Sequence, residues 1–217
     1  MQRRELFSSF AGVGVCAPAT SESAVDRIPN VVLTTHEDRQ TRFYDDLIKG
    51  KQVIVNMMYT NCTAYCPAIT TRLVEIHAAL GDRMGRDLFM YSVSLKPEED
   101  DPAALRAFAE MHGALLPGWT FLTGSAYDIE TLRYALFKHG HIGLDLDVDV
   151  HTGRLRIIND AINRWVHVAP LASKATVLQH ISWADPPKPF EQRVEDNRRL
   201  QEQIDEEEEQ FGYRKVI

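Results

Sequence analysis

The sequence of 217 residues has only three cysteines, no long apolar run and fewer basic than acidic side chains. Three cysteines are too few for a disulfide-stapled scaffold, so any thiol role has to be argued from local context. Because a membrane-spanning helix needs about 20 consecutive apolar residues, no transmembrane helix is expected. The formal net charge of −7 argues against a nucleic-acid-binding protein, which normally presents a basic face. The length and the 44% hydrophobic content allow one domain with a real core, plus appendages.

The first 19 residues are predicted to form an export signal. Arg3-Arg4 comes before a mild apolar stretch that ends in Ala17-Pro18-Ala19, and these are the parts of such a signal. The arginine pair followed by Leu6-Phe7 resembles a twin-arginine signal. We therefore expect a periplasmic or otherwise extracytoplasmic location, the alternative being an N-terminus with no targeting role.

Cleavage after Ala19 would leave the mature chain with two cysteines. Cys16 would leave with the signal, and Cys62 and Cys66 would remain. In an oxidising compartment this pair would have to be managed by redox chemistry.

Strand and helix patterns alternate through the middle of the chain. Apolar runs rich in β-branched and aromatic residues predict strands at 53–59, 88–94, 119–122, 155–158 and 164–167. Helical spacing and capping residues predict helices at 64–80, 103–111, 127–138 and 174–183. The segments 31–33 and 42–44 flank a polar stretch and predict a hairpin. We therefore expect an α/β, thioredoxin-like fold: a central mixed β-sheet flanked by helices, with an N-terminal hairpin and a β-hairpin insertion.

The composition changes after residue 184. The thioredoxin-like domain is expected over 28–184, and 185–217 is expected to be a proline-rich linker followed by a charged tail. The tail carries a broken apolar stripe, formed by Phe190, Val194, Leu200, Ile204 and Phe211. A solvated helix is the simpler interpretation, and a partner-binding or self-associating helix is the alternative.

The chemistry is expected at Cys62 and Cys66, in the run Cys62-Thr63-Ala64-Tyr65-Cys66-Pro67. Their spacing lets two sulfurs converge at the start of a helix, where they could close a disulfide or bind one soft metal ion. A helix N-terminus also favours thiolate over thiol. Pro67 is compatible with the first turn, so the pair is predicted to straddle the helix start. Two inert buried cysteines are the alternative.

A two-sulfur metal site usually needs a third ligand, and histidine is the best candidate. His77, His112 and His180 fall in predicted helices and are expected to be structural or exposed. A His139-Gly140-His141 run could bind a metal locally. His151 follows the alternating run 145–150, which predicts a strand or hairpin arm, and a loop histidine there could fold over the cysteines.

In four segments the chain resembles the SCO/SenC family of copper-delivering, thioredoxin-like proteins. They are the Cys-x3-Cys-Pro motif at 59–67, the segment Ser92–Pro102, the Trp-x-Phe-Leu-Thr-Gly strand at 119–124, and His151 with the strand that follows. The resemblance covers about residues 28–183. It implies that Cys62, Cys66 and His151 bind copper, as Cu(I) or Cu(II), and that copper is delivered to an apo-protein. The family's recipient is the CuA centre in subunit II of cytochrome c oxidase, whose cysteines these proteins also prepare by thiol–disulfide exchange.

One departure concerns Lys96, which stands where the family commonly has aspartate. A cation beside the site would disfavour copper and favour a thiolate or an anionic partner. The sequence thus leaves several functions open. They are a copper chaperone, a thiol–disulfide oxidoreductase or redox sensor using the same dithiol, and a binding module using the acidic tail. A peroxidase is a further possibility at the level of the fold. Whether the protein is an enzyme is undecided at this stage.

Overall fold

The structure is a computed structural model that describes residues 28–138, 154–187 and 189–211. The predicted signal at 1–19 and the predicted strand or hairpin arm at 145–150 lie outside these residues, as do His139, His141 and His151. The division into signal, domain and tail stays a prediction.

The strands of the described residues form one mixed sheet. Their order across the sheet is β2-β1-β5-β4-β3-β6-β7. Strands β3, β4 and β5 run parallel, and the other pairs are antiparallel. The bounds are β1 Val32–Thr35, β2 Gln40–Arg42, β3 Gln52–Met58, β4 Leu88–Ser94, β5 Trp119–Gly124, β6 Leu155–Asn159 and β7 Arg164–Val168.

The α-helices of the described residues follow the predicted pattern and are capped as expected. Ser173 caps α4 by accepting a hydrogen bond from Thr176 N–H, and Ser125 and Asp101 cap α3 and α2 in the same way. The bounds are α1 Cys66–Leu80, α2 Pro102–Met111, α3 Ala126–Arg133, α4 Lys174–Ala184 and α5 Phe190–Phe211. Within the part of the chain that the structure describes, none of these helices is long and apolar enough to cross a bilayer.

Strand β3 is buried on both faces of the sheet, which explains its continuous apolar run. Ile54 and Met58 belong to the core under α1, α2 and α4, whereas Val53 and Val55 belong to the core under α3. A strand with helices on both sides has no solvent face and needs no polar alternation. The predicted buried central strand is confirmed.

The N-terminal hairpin is present, but its second arm ends earlier than expected. β1 pairs with β2 in the register Val32↔Arg42, and Phe43–Ile48 then forms a π-helical turn closed by Lys49 N–H on Tyr44 C=O. The strand prediction is therefore wrong for Phe43 and Tyr44. Phe43 and Ile48 are fully buried, and a tight turn brings both into the core, whereas an edge strand would point alternate side chains outward.

Helix α5 packs mainly against α4, and several of the side chains described on it are exposed. Phe190 and Val194 are exposed, and Arg198 bridges Glu195 and Glu202 along the helix surface. Such ion pairs support a solvated helix. Whether the tail is only a solvated helix or also binds a partner stays a prediction.

Candidate metal and redox site

The two cysteines meet where β3 passes into α1. Cys62 lies in the loop after the strand, and its N–H donates to Tyr59 C=O at 3.4 Å. Cys66 is the first residue of α1, with Pro67 in the first turn. The backbone N–H of Cys66 donates to Cys62 Sγ at 3.4 Å, so one sulfur caps the helix that the other begins. The pair straddles the helix start as predicted, although the helix begins at Cys66 and not at residue 64.

Both sulfurs are shielded from solvent. Cys62 is 4% exposed and Cys66 2%, and both belong to the core cluster that includes Met58 and Ile69. They are held as two thiols and not as a disulfide. By contrast, Tyr65, which lies between them in sequence, is 57% exposed. A ligand or partner thus meets the loop first and the sulfurs behind it.

The environment shifts the pKa values of the two thiols in opposite directions. Burial is the largest influence on Cys62 and raises its pKa, but several hydrogen bonds to its sulfur together outweigh burial, so its pKa lies below the usual value. They come from the backbone and thiol of Cys66 and from the amides of Tyr65 and Ala64. Donors to the charged form favour the thiolate.

Cys66 shifts the other way. Burial raises the pKa of Cys66 to about 12; the backbone of Tyr59 opposes this, while the Cys62 sulfur and the charge of Asp100 reinforce it. Cys62 is therefore the more acidic thiol of the pair, and Cys66 keeps its proton at neutral pH.

A buried carboxylate lies behind the pair. The Asp100 side chain accepts the backbone N–H of Thr60 at 3.2 Å and the hydroxyl of Ser94 at 2.5 Å, and it also accepts the Thr60 hydroxyl. Sequence reasoning missed Asp100 and Thr60 as parts of the site. Asp100 stands in the acidic run 98–101, and nothing local marks it as the buried member.

The Lys96 side chain contacts Tyr59 and Glu99. Its ammonium lies 4.6 Å from the centre of the Tyr59 ring and 3.7 Å from the carboxylate of Glu99. The main influences on the pKa of both thiols are burial, backbone amides and the thiols themselves, and Asp100 acts in addition on Cys66. The expected effect of Lys96 on a thiolate or on copper stays a prediction.

The described histidines are engaged elsewhere. His77 Nε2 lies 2.8 Å from Pro117 C=O, and His180 Nδ1 lies 2.8 Å from Thr176 C=O. The His112 ring packs against Phe108, with 4.4 Å between the ring centres. In residues 28–138, 154–187 and 189–211, no three His, Cys, Asp or Glu side chains are grouped to hold a metal ion. The structure therefore brings Cys62 and Cys66 together, while the predicted third ligand, His151, lies outside the described residues.

A mixed sheet with two cysteines between a central strand and the following helix defines a thioredoxin-like protein. The sequence profile of the SCO1/SenC family matches residues 28–183. The match covers well over half of the chain, and the protein therefore belongs to the SCO1/SenC family. The resemblance inferred from the sequence is confirmed.

Individual relatives share a modest fraction of their residues with this chain. The SCO1 protein homolog of Bacillus subtilis is 32% identical over 92 residues, which are 42% of this chain and 47% of that protein, so the match spans about half of its length. BsSco, described as a member of the Sco family of cytochrome c oxidase assembly proteins with a disulfide switch, has a similar fold, with a TM-score of 0.59. It is 19% identical, covering 73% of this chain and 92% of BsSco. Copper-bound yeast Sco1 is 16% identical, with a TM-score of 0.55 over 74% of this chain and 96% of Sco1.

Proposed function

We propose that this protein is a copper chaperone whose cargo is bound by Cys62 and Cys66 and passed to an apo-protein by ligand exchange. The observation that carries the proposal is the hydrogen bond from Cys66 N–H to Cys62 Sγ, which places two sulfurs at one helix start in a member of this family. Two thiolates select soft ions such as Cu(I). Copper-bound yeast Sco1, with a similar fold, supports the same assignment.

The third ligand in this proposal is His151. Two sulfurs and one imidazole leave an open position, through which a recipient's own ligand could enter before the chaperone's ligands leave. Binding requires both thiols to lose their protons, so copper uptake should release protons and strengthen as pH rises. Because Cys66 holds its proton more tightly than Cys62, it should dominate this pH dependence.

The proposed recipient is an apo copper protein such as the CuA site of cytochrome c oxidase, and the proposed location is extracytoplasmic. Family membership and the description of BsSco support this recipient. The test is transfer of copper from the loaded protein to a copper-free CuA domain. Cell fractionation, with sequencing of the mature N-terminus, tests the export signal predicted at 1–19.

The site itself is tested by competition for Cu(I) with a chromophoric chelator. We expect one copper per chain in the wild type, and a large loss of affinity in Cys62→Ser, Cys66→Ser and His151→Ala. His77→Ala is the control, because His77 contacts Pro117 C=O and should leave affinity unchanged. Sulfur-to-copper charge-transfer bands would report Cu(II) binding to the same thiolates. Unchanged affinity in His151→Ala would remove that residue from the site.

The opposite pKa shifts of the two thiols favour a second function, thiol–disulfide exchange. Cys62 thiolate would attack one sulfur of a partner disulfide, forming a mixed disulfide and releasing the partner's other sulfur as a thiolate. Cys66 would then lose its proton and attack the Cys62 sulfur. The partner gains two electrons and leaves reduced, while Cys62 and Cys66 become a disulfide. Cys66→Ser should trap the mixed disulfide, whereas Cys62→Ser should not react.

A further inference from the structure

Asp100 is a fully buried carboxylate that joins two separate segments of the chain. It is 0% exposed. Its oxygens accept the backbone N–H and the hydroxyl of Thr60, which belongs to the loop that carries Cys62. They also accept the hydroxyl of Ser94, the last residue of β4. The backbone N–H of Asp100 donates to Lys96 C=O and closes the turn between β4 and α2.

Burying the Asp100 carboxylate costs free energy. An ionised carboxylate taken out of water is strongly destabilising unless its oxygens are well hydrogen-bonded. The hydrogen-bond donors described for Asp100 are an amide and two hydroxyls, all of them neutral. Capping of α2 does not explain it, because the neighbouring Asp101 caps that helix by accepting Ala104 N–H. The bonds of Asp100 thus serve the cysteine loop and the sheet.

Through its bonds to Ser94 and Thr60, the Asp100 carboxylate connects the sheet to the loop that carries the Cys62 sulfur. Ser94 is tied to the central strand, since it pairs with Met58, and Leu95 N–H donates to Met58 C=O at 2.7 Å. Cys66 is fixed independently, as the first residue of α1. Cys62, in contrast, lies in a loop, and Asp100 holds that loop two residues before it. The Thr60–Asp100 contact therefore helps to fix the position of the loop that carries Cys62.

We infer that Asp100 is a positioning residue of the dithiol, which presets Cys62 against Cys66 by anchoring Thr60 to the end of β4. The inference rests on the proposed function, in that Cys62 and Cys66 either bind copper or form a disulfide. Without the anchor, the sulfurs would sample a wider range of separations. Copper binding would weaken, and so would disulfide formation, because both require the sulfurs close together.

The experiment measures Cu(I) affinity and the reduction potential of the Cys62–Cys66 pair in five full-length variants, four with one substitution and one with two. Asp100→Asn keeps the shape but places an amide NH₂ against hydroxyl and amide donors. Asp101→Asn is the matched control, because it alters a neighbouring acidic residue outside the cysteine loop. Thr60→Val removes only the hydroxyl at nearly constant volume, and Thr60→Ser restores it.

For Asp100→Asn we expect a loss of copper affinity of about 10–100-fold, the range found when a group supporting a metal ligand is removed. The reduction potential should become less negative, by about 30 mV for each tenfold loss in the disulfide equilibrium. Thr60→Val should move both quantities in the same direction, and Thr60→Ser and Asp101→Asn should stay near the wild type. The double variant of Asp100→Asn and Thr60→Val should lose no more than the larger single effect, because the two residues act through one contact.

The outcomes separate this inference from the proposed function. In both Asp100→Asn and Thr60→Val, a copper affinity within threefold of the wild type and a reduction potential within about 15 mV of it would overturn the inference and leave the proposed chaperone function intact. If the wild type binds no copper but the reduction potential still shifts in Asp100→Asn, the copper-chaperone function would be refuted and the positioning role of Asp100 supported. Equal losses in Asp101→Asn would mean general destabilisation and would also overturn it. If Asp100→Asn fails to fold, the comparison of Thr60→Val with Thr60→Ser decides.

Discussion

The backbone N–H of Cys66 donates to the sulfur of Cys62, and this contact makes two otherwise equivalent thiols chemically different. Cys62 receives the hydrogen bonds of the helix start, and Cys66 lies behind it in the core with a raised pKa. The more acidic Cys62 should therefore also be the more reactive of the two thiols.

Alkylation should modify Cys62 before Cys66. Between pH 6 and 9, the rate at Cys62 should rise with pH and should exceed that of an unperturbed cysteine, because the pKa of Cys62 is lowered. Cys66, with a pKa of about 12, should stay protonated and slow throughout this range. Iodoacetamide labelling of the reduced protein, mapped by mass spectrometry, measures both rates. In guanidinium chloride the difference should disappear, and faster labelling of native Cys66 would contradict the assignment.

Lys96→Asp should strengthen copper binding a few-fold. The family commonly has aspartate at this position, and replacing a cation by an anion there changes the local electrostatic potential in favour of a bound cation. Lys96→Met keeps the apolar stem over Tyr59, and its copper affinity should lie between those of the wild type and Lys96→Asp. The Cu(I) competition assay at low and high salt measures the effect, which should shrink as salt rises. No difference among the three proteins would show that Lys96 does not influence the site.

Gly118→Ala should be strongly destabilising. Gly118 has φ +74°, and an added Cβ would lie 2.3 Å from the backbone nitrogen of Gly85. Gly113→Ala is the matched control, since Gly113 has φ +65° and no atom within 4 Å of an added Cβ. The control should lose about 1–2 kcal/mol from the left-handed backbone alone. Gly118→Ala should lose clearly more free energy of unfolding in urea. The added Cβ would clash with the backbone of Gly85, which cannot move aside as a flexible side chain can.

Removing residues 186–217 should leave copper affinity unchanged and the melting temperature nearly so. The tail helix packs mainly on α4, and Phe190 is already exposed. Asp185 must be retained, because its carboxylate binds Arg83 at 2.7 Å. Asp185→Ala in the full chain provides the contrast and should cost about 1.5–3 kcal/mol, the usual value of a hydrogen bond to a charged group. A truncated chain with full stability but impaired copper transfer would instead assign the tail to partner binding.

Much of this architecture could be predicted locally. The apolar runs of β3 and β4, the caps at Ser173 and the cysteine spacing are short-range patterns, and the structure places each where expected. The turn at Phe43–Ile48 was missed, because its conformation follows from the burial of Phe43 and Ile48 in a distant core. The position of β6 next to β3, antiparallel to it, likewise depends on contacts far apart in sequence.

The sequence by itself determined most of the helices and strands, the family and the identity of the dithiol, because periodicity and residue spacing act within a turn or two of the chain. The tertiary structure decided which acidic residue is buried behind that dithiol and which thiol is activated. Asp100 lies about 40 residues after Thr60 along the chain, and only the packing of β4 beside β3 brings them together. Acidity depends on burial and on nearby donors, and both are properties of the folded chain, so they cannot be read from the composition of residues 62–66.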